Sequence, residues 1–281
     1  MTAGGSSRPL TPCFDTLLDQ VLRGEFGPGP RTRRIDVAFT TSQAVRHEGR
    51  HGGYRNEVLS LRLGRSVGSC AVEPGALPDG TVEDCAGAEL AALLAHPLLP
   101  VRVAALDAFL MDVLPHTPAQ GAQPVDIPAG NSLERSRARA SAVVDLLQLP
   151  PGRTVLLVGV VNSLLAELRS RGLRAIPCDF KGGTTEWGEP IVTDALAEVG
   201  RCDAVLASGM TLGNGTFAPL SRSAWELGKP LVMFAQTGSA VLPRFLGAGV
   251  AAVCAEPYPF FWLDGGPGTL HRYRAHDGGT S

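Results

Sequence analysis

The 281-residue chain is short of charge, of aromatic rings and of long apolar runs. Charged residues make up 19%, below the ~25% of an average soluble domain, so a large core and an interface besides are within its means. Lys and Arg number 25 and Asp and Glu 27, a formal net charge of -2. There is no basic field to hold a phosphate backbone, and at 6% aromatic there is no platform for stacking single strands, so nucleic acid is not expected as a partner. The longest clean apolar run, Val155 to Val161, is interrupted by Gly159 and falls far below the ~20 residues of a membrane span. Met1 to Leu10 lacks an apolar h-region, so neither a membrane nor a secretory signal is expected. The six cysteines, at 13, 70, 85, 178, 202 and 254, form no C-x-x-C pair, and reduced thiols in a cytoplasmic setting are the expectation. A G-x-S-x-G elbow, a Walker loop and a G-x-G-x-x-G fingerprint are also missing.

What is present is glycine and proline, 34 and 22 residues dispersed between periodic segments. The length predicts two domains. Residues 1–10 read as a flexible tail. A first, α+β domain over 11–120 opens with a helix at Thr11-Pro12, carrying Phe14, Leu17, Leu18, Val21 and Leu22 on one stripe. Strands over 35–41 and 58–63 follow, then helices over 82–95 and 101–113. Gln120 to Gly130 reads as the linker. A helix capped by Asn131 or Ser132 leads into a second domain over 131–264, and 265–281 reads as another tail. From Arg153 strands and helices alternate strictly. The strands fall over 154–161, 175–180, 204–208, 230–235 and 250–255, and the helices over 163–171, 194–199, 218–227 and 240–246. Near-continuous apolar strands between amphipathic helices predict an α/β fold, a Rossmann-like parallel sheet covered on both faces. Such sheets bind ligands beyond the carboxyl ends of their strands, which makes the loops there the site candidates.

Five loops qualify. Val158 to Ser163 puts Gly159 and Asn162 at the start of a helix, where free N–H groups favour an anion; a tight strand-to-helix turn would explain the glycine equally well. Asp179, twenty positions after Gly159, is placed to accept from ribose hydroxyls, or else caps its own loop. The loop from Lys181 to Pro190 is a lid or a solvated surface loop. Ser208 to Thr216 is the densest polar, glycine-rich stretch, in which Thr211, Asn214, Gly215 and Thr216 offer uncharged donors and acceptors; the alternative is an elaborate helix cap. Beyond the last two strands, Ser239 is a capping candidate, and Glu256 is the carboxylate able to meet a cation or proton. His47 and His51 stand four apart in a glycine-rich stretch that argues against a helix, so a metal pair there is not favoured. His96 and His116 adjoin helix ends, and His271 and His276 fall in the expected tail.

Three runs together resemble the DUF364 family, often labelled heavy-metal chelation. They are Val158-Gly159-Val160-Val161, the stretch from Ser208 to Thr216, and Gly228-Lys229-Pro230 leading to Gly238-Ser239-Ala240 with Pro243 and Gly247. The resemblance covers residues 130–260, and 11–120 in pattern only. It implies a small domain resembling the N-terminal domain of enolase joined to a Rossmann-like domain, with a cleft between them lined by Gly159, Thr211, Asn214, Gly215, Thr216 and Ser239. One departure stands out: Gln236-Thr237-Gly238-Ser239 replaces the glycine-proline-serine run that the family pattern leads one to expect.

The function expected on this reading is binding of a small polar molecule or metal chelate in that cleft, as a binding protein or an auxiliary enzyme. Asn214, Thr211 and Thr216 would orient the molecule and the Gly159 loop would take its anionic part. The alternative is an enzyme using S-adenosylmethionine or another nucleoside cofactor, with Gly159 facing its polar tail and Asp179 the ribose. A homodimer is a further option that the low charge fraction permits.

Overall fold

The structure, a computed structural model, describes residues 13–27, 29–46, 54–258 and 265–275. Thr11, Pro12, His47, His51 and His276 lie outside the described residues. Helix α1 (Phe14–Leu22) is capped by Cys13, and Leu17, Leu18 and Val21 turn its apolar stripe inward. An antiparallel sheet follows, β1 (Val37–Val45), β2 (Tyr54–Leu63) and β3 (Ser66–Val72). The helix expected over 82–95 is two short ones, α2 (Thr81–Cys85) and α3 (Leu90–Leu94), parted at Gly87, where φ is +78°. Then comes α4 (Leu99–Val113), with nine residues buried, which crosses β3 closely enough that a Cβ on Gly68 would stand 1.9 Å from Ala108 N.

The second sheet is built from β4 (Gln123–Ile127), α5 (Ser132–Val144), β5 (Thr154–Val158), α6 (Asn162–Ser170), β6 (Arg174–Cys178), α7 (Ala195–Glu198), β7 (Ala204–Ser208), α8 (Met210–Gly213), α9 (Phe217–Glu226), β8 (Leu231–Ala235), β9 (Ala252–Ala255) and β10 (Gly268–Arg274). Its strand order is β4-β10-β9-β8-β7-β5-β6. The five strands from β6 to β9 in that order are parallel, as their apolar texture predicts. Two expectations are corrected. The stretch read as a linker contains β4, and the stretch read as a tail from 265 contains β10, which pairs antiparallel with β9 and β4. Thr269, His271, Arg272 and Arg274 make β10 look solvated, but neighbours on both sides satisfy its backbone while Leu270 and Tyr273 are buried. Of the helix expected over 240–246, only a short 3-10 turn at Leu242–Phe245 forms, with Pro243 in its first turn.

Alternate residues of the central strands feed two cores. Val155, Leu157, Leu206 and Val232 pack under α5 and α6, while Leu156, Val205, Met233 and Val253 share a core with α1, α4 and the small sheet. A single core therefore crosses the boundary expected near 120–130. A buried carboxylate reinforces it: Asp107 on α4 accepts from Ser69 N on β3 (2.9 Å) and Ala240 N beyond β8 (2.8 Å).

Candidate ligand cleft

From β5 the chain passes through α6 to β6 and then recrosses β5 to reach β7. This reversal leaves a crevice beyond the carboxyl ends of β5 and β7, the usual ligand position in open parallel sheets. Gly159 stands there at φ +89°, and a Cβ on it would lie 2.8 Å from Ser208 Cβ, so the turn demands glycine on both counts. The crevice opens into a cavity of about 1470 Å³ whose far wall is the small sheet, through Gln43, Arg55, Glu57, Ala71 and Glu73. Gly159, Asn162, Asp179 and Glu256 all line it.

Helix α6 begins at the cavity with no side-chain cap, since its N-cap residue is Val161. The first N–H groups of a helix have no intrahelical acceptor and carry the positive end of its dipole. Helix α5 also begins here, but Asn131 and Glu134 close its end in a complete capping box. A hydrogen bond of 2.8 Å between Ser136 Oγ and Ser163 Oγ holds the two first turns together. Asp179, at the end of β6, accepts from Lys181 N (3.0 Å) and Val160 N (3.4 Å), so its carboxylate stays beside the Gly159 turn. Asn162 Nδ2 donates to Glu186 Oε2 (3.0 Å) and Lys181 Nζ lies 3.8 Å from Glu73, which tethers the 181–190 loop across the cavity. In that loop Trp187 lines the cavity while the Arg169 guanidinium covers its ring at 4.3 Å.

On the opposite wall Glu256, 3% exposed, receives Arg139 Nε on both oxygens at 2.8 Å and Gln236 Nε2 at 3.0 Å. The cation expected at Glu256 is thus an arginine of α5, 117 residues away in sequence.

Five sequence candidates stand elsewhere. Thr211 is buried and donates to Ser208 O at 2.8 Å. Asn214 Oδ1 accepts from Thr216 N (3.1 Å) and Thr216 Oγ1 (2.7 Å), which closes the turn on itself around Gly215. The glycines of this stretch serve close packing on the small sheet: a Cβ on Gly213 would stand 2.5 Å from Cys70 Sγ on β3. Ser239, buried, faces His116 Nε2 at 3.4 Å. Of the Ser208 to Thr216 stretch, Ser208 and Met210 reach the cavity. The helix-end role expected of His96 is seen, its Nδ1 accepting from Leu98 N at 3.1 Å. His116 instead bonds Tyr273 OH at 2.6 Å and stacks on His271 at 4.8 Å, inside β10 rather than in a tail.

Among the described residues, no three His, Cys, Asp or Glu side chains stand together as ligands. Burial pushes the thiols of Cys178 and Cys254 up to about 11 and about 12. All six cysteines are free. No described helix is long and apolar enough to cross a membrane.

Sequence reasoning passed over Arg135, which lines the same cavity although only 4% exposed, and whose Nε and Nη2 have no hydrogen-bond partner. An arginine on an otherwise amphipathic helix looks like part of the solvated face, and only the tertiary packing buries it.

No family model and no curated protein matches the chain. Two solved structures share its fold. A DUF364-family protein of unknown function from Desulfitobacterium hafniense is 13% identical, with a TM-score of 0.57 over 86% of this chain and 85% of that one. A second DUF364-family protein of unknown function, from Pyrococcus horikoshii, is 14% identical, with a TM-score of 0.50 over 85% of this chain and 86% of that one. The chain therefore has a DUF364-like fold.

Proposed function

We propose that this chain, which shares its fold with two DUF364 proteins, binds a small polar molecule in the cleft between its two sheets, anionic end toward the Gly159 turn. One observation carries the reading: the crossover crevice of the parallel sheet opens, at a glycine no other residue could replace, into a cavity at the uncapped start of α6. The cavity exceeds the ~300–1,000 Å³ of common small-molecule sites, so an extended ligand fits better than a lone ion. A metal would enter already chelated, with the ligand supplying its donors. Thr211, Asn214, Gly215, Thr216 and Ser239 do not line this cavity.

A second reading, a nucleoside cofactor such as S-adenosylmethionine, is favoured by Asp179, whose carboxylate lies beside the Gly159 turn at the end of the neighbouring strand. One thermal-shift screen tests both readings, with S-adenosylmethionine, S-adenosylhomocysteine, NAD, ATP and a panel of small carboxylates and phosphates. A ligand at 100 times its Kd adds ~2.7 kcal/mol, a rise of several degrees. Asn162→Trp, which sets an indole at the first turn of α6, and Gly159→Ala are expected to lose that rise. Equal rises in wild type and both variants would place binding outside this cleft.

A further inference from the structure

Arg135 is the polar group in the cleft whose hydrogen bonding is least explained. A guanidinium does not lose its proton in a protein, so this side chain carries a positive charge out of water. Buried charges are paired or cost several kcal/mol. No carboxylate among the described residues lies within ion-pair distance of Arg135, whereas its neighbour one helical turn on, Arg139, is fully engaged by Glu256. Nε and Nη2, the two unpartnered nitrogens, form one edge of the guanidinium plane. Their parallel N–H bonds match the two oxygens of a carboxylate or phosphoryl group. On the β10 side this edge meets the backbone of Gly268 rather than a side chain; a Cβ there would stand 3.4 Å from Nη2. The uncapped first turn of α6 lines the same cavity and is joined to α5 through Ser136 and Ser163.

We propose that Arg135 is the anion anchor of this cleft, its Nε/Nη2 edge taking two oxygens of a carboxylate or phosphoryl group carried by the bound molecule. This rests on the binding function proposed above and adds the chemical class of the ligand. Both nitrogens are covered in the free protein, so anchoring entails a rotation of the guanidinium toward the cavity. The free chain holds that charge without an ion-pair partner among the described residues, and the ligand neutralises it. Stability in the empty protein is thereby exchanged for selectivity toward anions.

The test uses the full chain and two probes, acetate for the carboxylate source and inorganic phosphate for the phosphoryl one. One arginine Nε–H resonance, identified by its absence in Arg135→Met, should move as one of these anions is added, and the anion that moves it names the group. Arg135→Met should melt at or above the wild-type temperature without anion, because an unpaired buried charge is gone. It should also bind the tightest molecule of the thermal-shift panel at least tenfold more weakly. Arg135→Lys, which keeps charge without the two-nitrogen edge, should fall between. An Arg135 resonance unmoved by both anions, or unchanged panel binding by Arg135→Met, overturns the assignment. If Asn162→Trp alone abolishes panel binding in that case, the cleft reading stands and only the anchor falls; if no panel molecule protects the wild type, both fall.

Discussion

Replacing Asp107 by asparagine should expose a pH dependence that the wild-type protein conceals. Asp107 is 2% exposed, and burial pushes its pKa up to about 7 from 3.8, against the opposing pull of N–H bonds from Ser69, Ala240 and Val241. Between those two values the unfolded chain has released this proton and the folded chain still holds it. The contribution to stability is therefore complete below about pH 4 and lost as pH rises toward 7. His116 works the other way. Burial first, then the charges of His271 and Arg244, push its pKa down to about 3 from 6.5. Its contribution is complete above pH 6.5 and lost as pH falls toward 3. Each group alone gives a slope of ~1.4 kcal/mol per pH unit, opposite in sign, so from pH 4 to 6.5 they largely cancel. Asp107→Asn removes the falling slope and leaves the rising one, to which His271, also shifted down by burial, adds. The unfolding free energy of the variant should then climb by ~3 kcal/mol more than that of the wild type across that window. Urea denaturation followed by circular dichroism at half-unit pH steps reads both curves. Parallel curves for the two proteins would refute the reasoning.

Two further outcomes follow from packing. Asn214→Ala removes only the bonds within its own turn, so it should cost ~1 kcal/mol in urea denaturation and leave ligand protection intact; loss of protection would return Asn214 to the site. Gly68→Ala puts a methyl 1.9 Å from Ala108 N and should destabilise the protein by more than ~4 kcal/mol, so an unaltered denaturation midpoint would contradict the close crossing of α4 over β3.

The parallel sheet was legible because its strands are buried on both faces and read as apolar runs, and 204–208 is matched to the residue. Strand β10 was not, since its inward residues are few and its polar ones many. Strand β3 was hidden by the small residues that let α4 lie across it. Gly159 and Asp179, which line the cavity, were legible by their place after strands. The Ser208 to Thr216 stretch reads two ways for a physical reason: glycines and short polar residues admit a ligand or a neighbouring strand equally well, and Gly213 packs against β3. Arg135 and the Arg139–Glu256 pair depend on contacts between distant segments, which no local pattern announces.

The decisive measurement is a crystal structure of the full chain with the tightest molecule from the thermal-shift panel. Density wedged between the two sheets, touching the backbone at Gly159 and the first turn of α6, is the predicted result. Density on any outer surface, with that hollow filled by water alone, would contradict it.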